Sequence, residues 1–480
     1  MKRRHTIPVR CVIMIALFAS APIGAQDLKA PGKKISYRDY IDTITQKLPE
    51  LKRNEIQVQR AKNTLDGTES TEDTFLEGDA TYTRTKQYSR NPFSRTGYTS
   101  EYTANLGIAR KFNRTGTTLS TGLSYYQLDN DINYEGAAIP NTYYYPSVYL
   151  KFSQSLLKNT FGIIDRFAKN DAAMKLEIEK LRRSESDKSD MNYYRKLYFD
   201  WVEYLEQLRL INESIRNARA LSNQVSRRFR SGLAGNDDVQ SAAALVLQYR
   251  ATYEEVMASR IALERELQLF FDTAQRQPES SEFDRLYAMA REKGYPRVPF
   301  EKTKSAEIYR LTKKNYRYAK DVAENRLLPQ LDLVAQVTRK AQDDQFSTAA
   351  RELNDTDYYI GFSMSYPLEN IESRSAVKEA ELSIQEINNE FSVSKNGYHK
   401  SLDSLIEYSK GVERVIDLKE KRIKTLESKY RTELKKYQQT RLDLQFLINT
   451  ANEITSEQIG LLQLKNQIIR YAIDYADLTK

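Results

Sequence analysis

Residues 201–232 read WVEYLEQLRLINESIRNARALSNQVSRRFRSG. Apolar side chains fall at Trp201, Leu205, Leu208, Ile211, Ile215, Ala218, Leu221, Val225 and Phe229, which is 28 residues in eight steps, a mean spacing of 3.5. Between them lie Glu203, Glu206, Arg209, Asn212, Glu213, Arg216, Asn217 and Arg219. A straight helix repeats every 3.6 residues, so a sustained 3.5 period keeps one seam against a partner helix and predicts left-handed supercoiling. No proline interrupts the run from Asp165, and no glycine occurs between Gly162 and Gly232. Such a helix is on the order of 100 Å long, more than a single compact domain uses. It reads as one stave of an elongated helical assembly; an ordinary coiled-coil dimer has the same pattern.

The bulk numbers narrow the class. With 29% charged residues and a mean hydropathy of -0.67, the chain has no polytopic helical membrane core. Its 33 tyrosines against 17 phenylalanines favour interfaces, because the ring is apolar and its tip is polar. Lys2, Arg3, Arg4 and Arg10 fall in the first 25 residues with no acid. The remainder holds 70 basic and 65 acidic residues, a net of +5. That balance is a mixed solvated surface, not a nucleic-acid footprint.

A basic stretch, Met1 to Arg10, precedes an apolar run, Cys11 to Ala19, and small residues that end in Ile23-Gly24-Ala25. The run is too short to span a bilayer and reads as an export signal over 1–25, cleaved after Ala25, with Ala21 and Ala30 as other cleavage points. Without it the chain has no cysteine and one histidine, His399. No disulfide, metal cluster or thiol chemistry is then expected.

From Phe75 to Leu156 the apolar period changes to two. Leu76, Ala80 and Tyr82 share one strand face. So do Tyr102, Ala104, Leu106 and Ile108, then Leu119, Leu123 and Tyr125, then Val148, Leu150, Phe152 and Leu156. Four strands of roughly 9–11 residues are predicted, the length of a tilted bilayer crossing, with a hairpin turn at Asn113-Arg114-Thr115-Gly116. A soluble antiparallel sheet alternates in the same way. After the long helix, Ser231-Gly232-Leu233-Ala234-Gly235-Asn236-Asp237-Asp238 is a stop signal followed by a start signal, with Asn236 or Asp237 as N-cap.

The order then repeats. Two further strands are expected, around Leu331 to Val337 and Tyr358 to Tyr366, and after Pro367 no proline occurs to the end. Asn396-Gly397 is a turn signal that the second long helix is expected to tolerate. The predicted division is a first repeat, 26–271, with helices 36–66, strands 75–156, long helix 163–230 and return helix 237–271. A connector, 272–304, leads to a second repeat, 305–480, with helix 305–326, strands 331–367, long helix 371–430 and return helix 442–478. Six strands cannot enclose a wide lumen, and an open edge in lipid costs several kcal/mol for each unpaired backbone group. Closure demands other copies; three would supply roughly eighteen strands. The fold class expected is mainly α with membrane β: coiled-coil staves plus a trimeric transmembrane β-barrel.

The chain resembles the TolC-like outer-membrane efflux proteins, the outer-membrane factors. The resemblance rests on the order of Phe152-Ser153-Gln154-Ser155-Leu156-Leu157, Arg228-Phe229-Arg230-Ser231-Gly232-Leu233 followed by Asp238-Val239-Gln240, Leu327-Leu328-Pro329-Gln330-Leu331-Asp332-Leu333, and Ser363-Met364-Ser365-Tyr366-Pro367-Leu368. It implies a homotrimer whose outer-membrane barrel continues as a periplasmic α-barrel. It also implies tips that meet a periplasmic adaptor, the membrane fusion protein, beneath an inner-membrane pump, and that close as an iris. Ser231, Gly232, Leu233 and Asp238 are then adaptor-contact residues, and Asp443 is a pore-constriction candidate whose three copies would favour cations. Gly232 is equally a plain helix C′ residue, and Asp443 equally a solvated helix-face acid. The second tip lies between Tyr430 and Leu444 and has no glycine. The first half carries an extra hairpin, about Tyr102 to Tyr125.

The function these features imply is a passive export duct of a tripartite efflux or type I secretion system, in the outer membrane with a periplasmic helical portion. The alternative is a soluble periplasmic coiled-coil scaffold or adaptor. No enzyme is expected, since there is no phosphate loop after a strand, no calcium loop and no convergent acid pair. No cofactor, metal or nucleic acid is implied.

Overall fold

The computed structural model describes residues 33–88, 97–130, 141–273 and 275–479. The expected export segment, 1–25, and most of the two long polar connections between predicted strands, Gln87 to Gly97 and Asp129 to Asn141, lie outside the described residues. In chain order the elements are β1 (Lys33–Ile35), α1 (Tyr37–Lys47), α2 (Pro49–Gly67), β2 (Thr74–Gln87), β3 (Gly97–Phe112), β4 (Thr117–Asn130), β5 (Thr142–Ser155), α3 (Phe167–Arg230), α4 (Asn236–Leu267), β6 (Arg276–Pro278), α5 (Ser281–Lys293), α6 (Lys304–Arg326), β7 (Gln330–Lys340), α7 (Phe346–Arg351), β8 (Asp355–Ser365), α8 (Ile371–Gln438) and α9 (Leu444–Thr479).

Local chemistry sets these ends. Ser36 caps α1 by accepting from Asp39 N–H at 3.1 Å. Pro49 opens α2, where a missing N–H costs nothing. Helix α3 starts at Phe167, not at 163, because Asn159, Phe161 and Gly162 take positive φ. The Asn159 Oδ1 then accepts from the N–H groups of Ile164 and Asp165. Gly162 is obligatory here: a Cβ would lie 1.8 Å from the carbonyl oxygen of Asn113. Helix α8 passes through Asn396-Gly397 without a break and runs past 430 to Gln438. The stretch 272–304 is more than a linker, since β6 pairs in parallel with β1 and α5 packs against α9.

Helix α3, 64 residues, is about 96 Å long. It packs against α2, α4, α6 and α9. The thickest core lies midway, where α1, β1, β6 and α5 form a belt. Trp201 is fully buried there with Tyr40, Tyr198, Phe199, Phe270 and Phe271. Its ring stacks on Phe271 at 5.9 Å, and Nε1 donates to Glu264 at 2.8 Å. Below the belt, Ile211, Ile215, Ala218, Leu221 and Val225 form the α3 seam against Ala242, Leu245 and Tyr249 of α4. The 3.5-residue spacing therefore marks residues that pack together.

Six strands form one antiparallel sheet in the order β2-β3-β4-β5-β7-β8. The hairpin β3–β4 lies within it, so the extra strands of the first half are sheet members. Strand β5 pairs with β7, joining strands from either side of the long helical excursion. The sheet is fastened to the helices at its base. Lys111 pairs with Asp165 at 2.6 Å, and Asn113 N–H donates to Glu72 at 3.1 Å.

Candidate functional site

The candidate residues fall on two features: the paired helical tips, and the sheet face. Each tip is a hydrogen-bonded helix terminator of one design. At the first, Gly232 N–H donates to Phe229 C=O at 2.9 Å and Leu233 N–H to Arg228 C=O at 2.8 Å. At the second, Thr440 N–H donates to Tyr437 C=O at 3.0 Å and Arg441 N–H to Lys436 C=O at 2.9 Å. Gly232 has φ +70° and Thr440 has φ +56°. The second turn thus has a definite register, 439–443, with threonine in the left-handed position that glycine fills in the first.

The restart residues differ from expectation. Neither Asn236 nor Asp237 is the N-cap; Gly235 is, in extended conformation. The Asp238 carboxylate reaches back to accept from Gly235 N–H at 3.1 Å. Asp443 accepts from Gln445 N–H at 2.8 Å, so it caps α9 while remaining exposed. Ser231 donates to Arg227 C=O, and Leu233 projects outward, 59% exposed.

Arg228 joins the two tips. Its Nη1 donates to Gln438 C=O at 3.0 Å and its guanidinium lies 4.6 Å from the Tyr437 ring centroid. Burial holds the Tyr437 hydroxyl above the ordinary phenol range; Arg228 opposes that shift, and Asp238 and Asp443 add to it. Ser231, Gly232, Leu233 and Asp238 therefore share one turn, and Asp443 sits on the neighbouring one.

The sheet is amphipathic across all six strands. One row of direct partners runs Leu76, Ile108, Thr121, Leu150, Val337, Tyr358. The adjacent row on the same face includes Leu106, Leu123 and Val148. On the opposite face Asp79, Asn105, Ser124 and Ser147 align. The apolar face is open to the outside, with Leu123 57% and Phe362 69% exposed. Among the described residues no helix is long and apolar enough to cross a membrane, and no acid, histidine or cysteine group is arranged to hold a metal ion.

No protein-family model and no curated protein matches the sequence. Solved structures do match. CusC, whose crystal structures concern folding and transmembrane channel formation, aligns with a TM-score of 0.67 at 12% identity, over 97% of this chain and 99% of that one. The CmeC outer membrane channel of Campylobacter jejuni aligns at 0.62 and 13% identity, over 92% of this chain and 85% of that one. The outer membrane protein VceC of Vibrio cholerae aligns at 0.62 and 13%, over 92% and 96%. The chain has the TolC-like fold.

Within this TolC-like fold, the sequence marks Arg228 only as part of the tip motif and gives no role to Tyr437 or Thr440. Tyr437 carried a faint signal, seven residues beyond Tyr430 on the same helix face. Thr440 carried none, because threonine disfavours positive φ.

Proposed function

We propose that this chain is one protomer of a trimeric outer-membrane export channel, with its helices in the periplasm. One observation carries the reading: the slope of the apolar band on the sheet. On β2 the band runs from Leu76 to Tyr82, and on β8 from Tyr358 to Met364. Leu76 and Tyr358 belong to the same row, so the outer limit of the band shifts by six residues over five strand steps. With about 3.3 Å per residue and about 4.8 Å between strands, the band is inclined by about 40° to the rows. Transmembrane barrel strands tilt by roughly 35–45°. A band that is level in the bilayer is oblique on the sheet by that angle, whereas a soluble sheet buried against a core has no reason to slope.

The free edges support a trimer. Strands β2 and β8, 14 and 11 residues long, each pair on one side only among the described residues. Lipid does not tolerate such edges, so β8 of one copy is taken to pair with β2 of the next. Three copies close roughly eighteen strands. The likeness to CmeC, an outer membrane channel, agrees with this reading. The duct performs no chemistry. Leu233, with Ser231, Gly232 and Asp238, is assigned to contact with a periplasmic adaptor joined to an inner-membrane pump, and Asp443 to the constriction. Opening then separates the tips that Arg228 joins, a shift between two helix packings.

The test is a gel of detergent-extracted envelopes. A trimer band that collapses to monomer on boiling is expected. Recovery of a monomer in the soluble periplasmic fraction would remove the channel reading.

A further inference from the structure

Strand ends remote from the helices carry cations on the apolar face. Arg84 and Lys86 lie two and four residues beyond Tyr82 on β2, with side chains of the same parity. Arg339 lies two residues beyond Val337 on β7. All three are exposed. The Arg84 guanidinium lies over the Tyr98 ring at 4.3 Å, and Lys86 Nζ over Tyr88 at 5.3 Å. Among the described residues none of the three pairs with a carboxylate. By contrast Lys340, on the opposite face, pairs with Asp357 at 2.5 Å. Among the described residues the acids on the apolar face beyond the band are Asp129, already accepting from Thr142 at 2.5 Å and Gln127 at 3.3 Å, and Asp343, opposite Tyr144 and already accepting from Gln345 N–H at 2.8 Å.

The level of these cations follows from the band. Tyr82, Tyr102, Tyr125 and Tyr358 mark its outer margin, as interfacial tyrosines do. On the same face Phe346 of α7 rests on Tyr125 and Tyr144 at 5.5 and 6.0 Å. Two residues further is about 7 Å along a strand, or about 5 Å of height at such a tilt, which is headgroup depth and not hydrocarbon. A cation held over an aromatic ring, facing lipid and without a carboxylate, is matched by an anionic headgroup.

Resting on the channel reading above, we infer that Arg84, Lys86 and Arg339 form a binding site for phosphorylated lipid headgroups of the outer leaflet. With β8 of one copy beside β2 of the next, Arg339 of the first and Arg84 and Lys86 of the second flank the same strand. Two strand spacings, about 10 Å, then separate cations from two subunits, and one headgroup with two phosphates can bridge them. The site is complete only at the subunit seam, so the bound lipid also braces it.

The experiment compares trimers of the wild type, the triple variant R84Q/K86Q/R339Q, and a control with the same charge loss on the exposed side of α2, R53Q/R60Q/K62Q. Each is placed in nanodiscs containing a bis-phosphorylated glucosamine-disaccharide lipid or its dephosphorylated counterpart, and retained lipid is counted by native mass spectrometry. Wild type and control are expected to retain the phosphorylated lipid, and the triple variant to retain at least about tenfold less, which corresponds to about 1.4 kcal/mol. Equal retention by the triple variant, or equal retention of the dephosphorylated lipid, in trimers that form normally overturns this inference and leaves the channel reading standing. Failure of the wild type to form trimers overturns both.

Discussion

The guanidinium of Arg228, at the end of α3, lies 4.6 Å from the ring centroid of Tyr437, at the end of α8. The two residues are 209 positions apart, yet they hold the two helical hairpins together at their tips. The Tyr437 hydroxyl has no hydrogen-bond partner among the described residues, so the contact belongs to the ring. Y437F should keep the link, with stability unchanged within about 0.5 kcal/mol. Replacing Arg228 by alanine should cost about 0.5–2 kcal/mol, replacing the buried Tyr437 by alanine about 3–5 kcal/mol, and both should raise the conductance of reconstituted trimers. Conductance equal to wild type in R228A would remove the tip link from the opening mechanism.

The two turns make opposite predictions. A Cβ at Gly232 meets no atom within 4 Å, so only its backbone conformation objects to a side chain. G232V should cost about 1–2 kcal/mol and impair export while trimers still form. T440G should stabilise its turn by about 1 kcal/mol, because it relieves the same strain. Thermal melting of the two variants measures both; a shift in the same direction would disprove the shared-turn argument.

Glu203 gives a pH dependence. Its carboxyl group lies between α3 and α9 and accepts from Gln207 at 2.7 Å and Asn466 at 2.5 Å. Burial holds it above the usual carboxylate range, against those two bonds. The folded state therefore binds this proton more tightly than the unfolded chain. That contribution favours folding as pH falls through the interval between the raised and the ordinary value, and opposes it above. E203Q removes the cost at neutral pH and brings an N–H toward Asn466, whose Oδ1 has no partner among the described residues. The variant should melt higher than wild type at pH 7, and the difference should shrink on acidification. A constant difference from pH 4 to 7 would contradict this.

The sheet faces should respond unequally to charge. Leu123, in the centre of the sheet, aligns with Leu106 and Val148, whereas Ser124 aligns with Asn105 and Ser147. L123R should cost about 2–4 kcal/mol of barrel stability and reduce the trimer in membranes. S124R should assemble normally and alter conductance. The reverse ranking would turn the sheet inside out.

Asp443 separates capping from charge. Asparagine caps a helix as well as aspartate does, while alanine costs about 1 kcal/mol. D443N should therefore keep the melting temperature of wild type, and D443A should lower it. If Asp443 lines the constriction, D443N also lowers the preference of the pore for cations, read as a shift in reversal potential under a salt gradient. An unchanged reversal potential would leave Asp443 as a cap alone.

The sequence by itself determined the elements. A 3.5-residue period from Trp201 to Phe229, alternation from Phe75 to Leu156, and Gly232 before Asp238 are patterns within a few residues, where backbone preference and side-chain direction act. Tertiary structure decided what no local pattern encodes: that β5 pairs with β7, that the apolar band runs oblique to the rows of strand partners, that Thr440 takes a glycine's conformation, and that Arg228 meets Tyr437. The strand pairing, the slope and the Arg228 contact depend on groups tens to hundreds of residues apart, whose alignment is set by which apolar surfaces and backbone groups find partners once the whole chain is packed. Thr440 illustrates the reason. Its strained φ is unfavourable by about 1–2 kcal/mol locally, and it persists because the helices on either side, each locked along its length, leave the turn no other path.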